Sequence, residues 1–195
     1  MKNRVQVFKN VKTNTFSSKD AIKSGLNYHD LAVLEAEGKI AKLGRGIYQK
    51  AGKISPETES FSIVLAHLGE PSAICLWSAL SFHELTEQVP EQIWVYVPIE
   101  KYSHLNTVRV VRKRNPLWEI GIETVEGIRV TDINRTLIDA LNDKKHISEA
   151  ESFKMTVQAL KDKKTTIKKL AEMANRLGVG KRLKLKLSLL QDSYV

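Results

Sequence analysis

Two closely spaced helix starts between residues 16 and 49 constrain this chain more than any other feature. The first predicted N-cap is Ser17, with Asp20 three residues later. The second is Asn27, with Asp30 at the same spacing. A side-chain oxygen at an N-cap satisfies an orphan backbone donor, and an acid in the first turn complements the positive end of the helix. The sequence therefore predicts two short helices in close succession.

A turn and a hairpin complete this segment. Residues 24–26 form a short glycine-bearing link of the kind that sets two helices at a steep angle. Gly38 is predicted to end the second helix. Residues 39–43 and 47–50 are predicted to form a hairpin around Gly44–Gly46. This order of helix, turn, helix and basic hairpin is typical of a winged helix-turn-helix, which reads double-stranded DNA.

The second helix has two distinct faces. Leu31 and Leu34 fall on one of them, and we expect this face to pack onto the first helix at Ala21 and Ile22. The opposite face is predicted to enter the major groove. Apart from one histidine its side chains are small: His29, Ala32, Val33 and Ala36.

Small side chains on that face would let the helix backbone approach the bases closely. Alanine and valine can meet thymine methyl groups, while polar residues at the helix start can reach base edges or phosphates. No Arg or Lys lies between Asn27 and Glu37, so phosphate contacts are expected from flanking cations. The candidate DNA-binding residues are Ser18, Lys19, Lys23, Asn27, Tyr28, His29, Ala32, Val33, Lys42, Arg45 and Lys50. The alternative is a helical pair that contacts another protein.

Charge is distributed unevenly along the 195 residues, whose net charge is +9. Residues 1–55 carry 11 Lys or Arg against 4 Asp or Glu, residues 56–143 carry 7 against 13, and residues 144–195 carry 13 against 5. A polyanion is therefore expected to bind the two basic ends. A second basic surface is predicted at Lys181, Arg182, Lys184 and Lys186. The alternative is a Lys-rich helix that is only solvated.

Composition predicts a cytoplasmic protein with no membrane partner. No window reaches the ~18 apolar residues that a membrane span needs. The N-terminus lacks the apolar core of a signal peptide. The single cysteine, Cys75, cannot form an internal disulfide and lies in an apolar run, which favours a buried thiol in a reducing compartment.

The sequence carries no recognisable catalytic, cofactor or metal motif, so we expect a protein that is not an enzyme. The five histidines form no HxxxH or HExxH pair, and no Walker loop or GxGxxG is present. His83 and Glu84 are predicted to pack or cap at a helix end. Arg135 and Asp139 are four residues apart, which predicts a structural ion pair on one helix face.

The predicted fold is mixed α/β, of the α+β type, with a domain at 1–54 and a second at 55–195. Helices are predicted near 56–68, 72–85, 132–141, 148–160 and 165–177, and strands at 93–97, 107–111, 122–125 and 128–130. The leucines between 183 and 190 fit both a strand and a helix. We favour a helix, because the neighbouring segments are helical.

Four sequence blocks together resemble an AbiEi-type antitoxin, the regulator half of a type IV-like bacterial abortive-infection toxin–antitoxin pair. Three of them are FSSKDAIKSGLNYHDLAVLEAEGKIAKLGRGIY, WSALSFHELTEQVPEQIWVYVP and VEGIRVTDINRTLIDAL. The fourth, the basic leucine-rich C-terminal helices, is similar in kind but not diagnostic by itself. The chain departs from the family at His83 and Glu84, where relatives often have a small residue or glycine. The recognition face also varies within the family, so the operator sequence does not transfer.

The resemblance implies a winged helix joined to an α/β antitoxin domain with a helical C-terminus. It implies a phage-defence protein that represses its own operon by binding operator DNA and that counteracts a nucleotidyltransferase-like toxin. Two rivals stay open at this point. One is a solitary winged-helix regulator whose other domain senses a ligand or a protein, and the other is a DNA-modifying enzyme.

Overall fold

The computed structural model describes residues 4–52 and 56–194, which form two compact units. The first unit comprises the described residues up to 72 together with Glu126–Ile128, and the second comprises Ala73–Val125 with residues 129–194. The predicted boundary between residues 54 and 55 falls outside the described residues. Both units combine helices with a β-sheet, so the predicted mixed α/β class is confirmed.

The first unit combines four helices with a three-stranded antiparallel sheet in the order β1-β3-β2. Its last helix, α4, packs against β1 and β3. The elements in chain order are α1 (Arg4–Phe8), β1 (Thr15–Ser17), α2 (Ser18–Lys23), α3 (Tyr28–Ala36), β2 (Ile40–Gly44), β3 (Ile47–Lys50) and α4 (Pro56–Leu68).

Both predicted N-caps are confirmed. Ser17 Oγ accepts a hydrogen bond from the Asp20 backbone N–H at 3.2 Å, and the Asp20 carboxylate accepts one from the Ser17 N–H. Asn27 and Asp30 make the same reciprocal pair, at 2.8 and 3.0 Å. Gly25 has φ +98°, a backbone conformation that turns the chain between α2 and α3 and favours glycine.

The core of the first unit is built around Phe16, which is 1% exposed and stacks on Tyr48 at a centroid distance of 6.0 Å. Leu31 and Leu34 of α3 are buried in the same cluster, as is Ala21 of α2. The prediction that Ile22 shares this contact was wrong, because its side chain is 42% exposed. Adjacent side chains on a helix point about 100° apart, and here Ala21 points into the core while Ile22 points towards solvent.

The second unit is built on a five-stranded mixed sheet in the order β6-β5-β4-β8-β7. β5 is parallel to β6 and antiparallel to β4, while β4 is parallel to β8. The strands are β4 (Ala73–Ile74), β5 (Ile93–Pro98), β6 (Val108–Lys113), β7 (Ile122–Val125) and β8 (Ile128–Thr131). The helices are α5 (Leu76–Phe82), α6 (Ile133–Asn142), α7 (Glu149–Lys161), α8 (Ile167–Arg176) and α9 (Gly180–Tyr194), with a 3-10 turn at Pro116–Glu119.

Two sequence interpretations have different outcomes here. The prediction of one helix over 72–85 was wrong, because Ala73 and Ile74 pair as a strand with Tyr96 and Val95. Sheet pairing across 21 or more residues overrode the local helical pattern at this point. The prediction of a C-terminal helix is confirmed by α9, which buries three leucines on one face. These leucines are Leu183, Leu187 and Leu190.

Candidate nucleic-acid interface

The outer face of α3 is open to solvent. Tyr28 is 67% exposed, and His29 and Ala32 are exposed as well. Val33 is half-buried at the edge of this face. The opposite face is in the core, where Leu34 is fully buried. The helix therefore presents one small, largely uncharged surface, as its sequence pattern predicts.

The start of α2 lies against the turn of the β2–β3 hairpin. The Ser18 backbone N–H donates to the Gly46 carbonyl at 2.7 Å. A Cβ placed on Gly46, which has φ +72°, would lie 3.1 Å from Ser18 Oγ. This contact brings Ser18 next to Arg45, although the two are far apart in the sequence.

Four of the predicted phosphate-binding cations are exposed and carry no local counterion. Lys19 and Lys23 lie on α2, and Lys42 and Arg45 lie on the hairpin. Among the residues that the structure describes, no carboxylate comes within ion-pair distance of these four side chains. Their charge is therefore available to an external anion.

Lys50 differs from these cations. It is half-buried, its Nζ donates to the Val11 carbonyl, and the ammonium lies 5.4 Å from the centroid of the Phe8 ring. Burial lowers the pKa of Lys50 below its ordinary value. Its ammonium thus joins β3 to the segment before β1, and Lys50 is less exposed than the four cations on α2 and the hairpin.

Sequence reasoning missed Arg4, which lies beside α3. Its Nε donates to Asp30 at 2.9 Å, and a second guanidinium nitrogen lies 3.9 Å from Glu37. Lys39 adds a 2.8 Å ion pair to the same Glu37 carboxylate. The carboxylates at the two ends of α3 are therefore neutralised within the unit, which reduces repulsion of an approaching polyanion.

The predicted second basic surface divides into two parts. Lys181, Arg182 and Lys184 are exposed on α9. Lys186 is half-buried, donates to the Leu141 carbonyl at 3.0 Å, and pairs with Glu149 at 2.9 Å. The ammonium of Lys186 therefore holds α9 against other helices of the second unit, and only the first three cations face solvent.

The groups that resemble catalytic pairs have structural partners. The predicted pair of Arg135 and Asp139 is confirmed at 2.6 Å, and Arg135 also donates to the carbonyls of Trp118 and Ile120. His83 Nε2 lies 2.6 Å from the Thr131 carbonyl oxygen. These side chains hold loops and helices together within the second unit.

The described residues also contain no metal-ligand cluster, accessible thiol or membrane-spanning helix. Within residues 4–52 and 56–194, no three His, Cys, Asp or Glu side chains come together as a metal site requires. Cys75 is fully buried, and burial raises the pKa of its thiol well above the ordinary value. No helix in the same ranges is long and apolar enough to cross a membrane.

Comparisons with known proteins identify no family. No protein-family model and no curated protein matches the chain. The crystal structure of the RV2827C protein from Mycobacterium tuberculosis is similar over 88% of this chain and 70% of that one. At 14% identity and a TM-score of 0.49, this likeness carries no argument about function. Membership of the antitoxin family stays a prediction from sequence blocks.

Proposed function

We propose that this chain is a DNA-binding antitoxin that represses its own toxin–antitoxin operon and counteracts a nucleotidyltransferase-like toxin in the cytoplasm. Its first unit would act as a winged helix-turn-helix, with α3 as the recognition helix and the β2–β3 hairpin as the wing. The observation that carries the proposal is the division of α3 into two faces. Leu31 and Leu34 are buried, while Tyr28, His29 and Ala32 are open to solvent.

The charges around α3 support this assignment. Recognition helices read base edges, whereas flanking cations set position on the phosphates. Lys19 and Lys23 flank α3 on one side in sequence, and Lys42 and Arg45 follow on the hairpin, all without a carboxylate partner among the described residues. Phosphate contacts by these four would supply the affinity that the uncharged face of α3 lacks.

A gel shift on the DNA upstream of the gene tests the DNA-binding half of the proposal. His29→Ala should relax sequence specificity, at ~1–3 kcal/mol for a good base contact. Asn27 needs a different substitution, because its side chain caps α3. Asn27→Ser keeps a capping oxygen, so a loss of specificity would report base contact and not helix fraying. Equal affinity of wild type and His29→Ala for specific and scrambled DNA would contradict the proposal.

The second unit is the proposed site of toxin neutralisation. The support for this assignment is the resemblance of the blocks WSALSFHELTEQVPEQIWVYVP and VEGIRVTDINRTLIDAL to the antitoxin domain, because the acidic excess of residues 56–143 is shared between the two units. Co-expression with the adjacent toxin gene from an unrelated promoter separates the two activities. The double variant K42Q/R45Q should still rescue growth while failing to repress the native promoter.

The same experiment also distinguishes the proposed antitoxin from the alternative, a solitary regulator without a toxin. A neighbouring gene without nucleotidyltransferase features would favour that alternative. So would repression without rescue by the wild-type chain. Rescue that disappears in K42Q/R45Q even from the unrelated promoter would show that one surface serves both activities, contrary to the proposed division.

A further inference from the structure

The second unit contains a cavity of about 300 Å³. It lies beside β5, β6, the end of α6 and the start of α9. Its apolar wall is formed by Leu76, Tyr96 and Val111. Ligand pockets in proteins start at about this volume and combine apolar walls with a few polar groups. The polar groups of this cavity define which ligand it can hold.

The two carboxylates at the cavity are already satisfied from within the chain. Asp139 is paired with Arg135 at 2.6 Å. Asp143 accepts backbone hydrogen bonds from the N–H groups of Lys145, His146 and Ile147, and its other oxygen lies 3.0 Å from the His146 ring. Each carboxylate therefore already has a cationic or N–H partner within the chain.

The cations at the cavity, unlike its carboxylates, have no oppositely charged partner among the described residues. Lys113, Lys144, Lys145 and Arg182 line it, and no carboxylate of the described residues comes within ion-pair distance of any of them. Lys113 is half-buried, with its Nζ 3.9 Å from the centroid of the Tyr96 ring. The cavity thus holds a surplus of positive charge, part of it removed from bulk water.

Two further features of the lining lack a structural explanation in the free chain. Asn142 Oδ1 is buried and has no hydrogen-bond partner, although buried acceptors are nearly always paired. Leu76 adopts φ +46° at the start of α5, which is uncommon for a residue with a side chain. Strained residues and unpaired polar atoms cluster at ligand sites, where the ligand supplies the missing contact.

We propose that this cavity binds a small metabolite that carries a divalent oxyanion, either a phosphate or paired carboxylates, together with a hydrogen-bond donor. Lys113 and Arg182 would hold the oxyanion, with Lys144 and Lys145 at the rim. Asn142 Oδ1 would accept from the donor, and the apolar wall would cover the carbon skeleton. This inference concerns the second unit only and stands whether or not the chain binds DNA.

Calorimetric titration of the full chain with three probes tests the proposal at constant ionic strength. The probes are pyrophosphate, citrate and phosphoethanolamine, of which only phosphoethanolamine joins a phosphate to an amine donor. Saturable binding should raise the melting midpoint of the second unit by about 5–10 °C at ~100 times Kd. A preference for pyrophosphate over citrate would identify a phosphate site, and the reverse would identify a carboxylate site. Absence of saturable binding by all three probes would overturn the proposal.

Variants locate the bound anion. Lys113→Gln and Arg182→Gln should each weaken binding about tenfold or more, since each removes a charged hydrogen-bond donor. Lys181→Gln is the matched control, because Lys181 is the exposed neighbour of Arg182 and does not line the cavity. Equal losses in Arg182→Gln and Lys181→Gln would show diffuse surface attraction and overturn the assigned site.

Asn142→Ala tests the donor contact separately. It should weaken phosphoethanolamine and leave pyrophosphate unchanged, because pyrophosphate has no amine to donate. The substitution removes an acceptor that has no partner, so it should not unfold the protein. Unchanged binding of both phosphate probes in Asn142→Ala would refute the donor contact.

Discussion

Arg4 donates from Nε to Asp30 Oδ1 at 2.9 Å, and this bond ties α1 to the first turn of α3. The same guanidinium lies 3.9 Å from Glu37 at the far end of the helix. The hydrogen bond from Arg4 is the main reason that the pKa of Asp30 lies below its ordinary value. Arg4 therefore neutralises Asp30 at the start of the proposed recognition helix, while Lys39, 2.8 Å from Glu37, is the main partner of the carboxylate at its end.

Replacing Arg4 with Gln should weaken DNA binding beyond the loss of one ordinary cation. The substitution leaves Asp30 unpaired on the helix proposed to face phosphates, and like charges repel. We expect affinity to fall on the order of fivefold relative to Lys12→Gln, which removes an exposed cation with no ion pair among the described residues. Fluorescence anisotropy with labelled operator DNA measures both variants. Equal losses would mean that Arg4 acts only through its net charge.

Arg45 and Lys50 should differ in how they affect the salt dependence of DNA binding. Each phosphate contact contributes roughly one unit to the slope of log K against log salt. Arg45→Gln removes an exposed cation and should flatten the slope by about one. Lys50→Gln should leave the slope unchanged, because its ammonium is already bonded to the Val11 carbonyl.

Stability should show the opposite order for the same two variants. Lys50→Gln removes a charged hydrogen bond inside the first unit and should cost about 1–2 kcal/mol in chemical denaturation. Arg45→Gln should cost little, because surface substitutions without a partner rarely matter. A flattened slope in Lys50→Gln would show that this ammonium leaves Val11 to reach phosphate.

The features that the sequence predicted correctly depend on neighbours along the chain. Ser17 and Asn27 each find a capping partner three residues away, so the pattern itself contains the interaction. The leucine stripe of α9 repeats with the helical period and needs no knowledge of the fold. The division of α3 into a buried and an exposed face follows from the same periodicity.

The features that escaped prediction depend on distant partners. Arg4 meets Asp30 across 26 residues, and Lys50 meets Val11 across 39. The short strand β4 exists because Ile74 pairs with both Val95 and Val130. The surplus of cations around Asn142 arises only when α6, β6 and α9 meet. No pattern of residues close together in the sequence therefore predicts the cavity.

Gly121→Ala should destabilise the second unit through both backbone strain and overpacking. A second glycine, Gly178, serves as a control that shows the strain alone. Gly121 has φ +73°, and a Cβ there would lie 2.8 Å from Arg135 Cβ and 3.0 Å from Met173 Cε. Left-handed strain and overpacking together should cost about 2–4 kcal/mol. Gly178 has φ +71° with nothing within 4 Å, so Gly178→Ala should show the strain alone, about 1–2 kcal/mol. Urea denaturation compares the two, and equal losses would mean that the contact at Gly121 relaxes freely.

Asp143 should give the second unit a stability that depends on pH. Burial by itself would raise the pKa of Asp143, but hydrogen bonds from the His146 ring and from three backbone N–H groups outweigh it and lower the pKa below its ordinary value. A carboxyl group whose pKa is lower in the folded state stabilises that state at pH values above its ordinary pKa. This stabilisation is lost as the pH falls through the folded-state pKa.

The substitution Asp143→Asn keeps an acceptor oxygen for the backbone N–H groups and removes the charge. It should therefore cost about 1–2 kcal/mol at pH 5–7, and the difference from wild type should shrink as the pH falls below about 4. Asp192→Asn, at an exposed position on α9, is the control for a change in net charge. Urea denaturation at a series of pH values gives both curves. A difference between wild type and Asp143→Asn that stays constant down to pH 2.5 would show that the hydrogen bonds to Asp143 do not favour its charged form, and the loop 143–147 would then be held by the acceptor geometry alone.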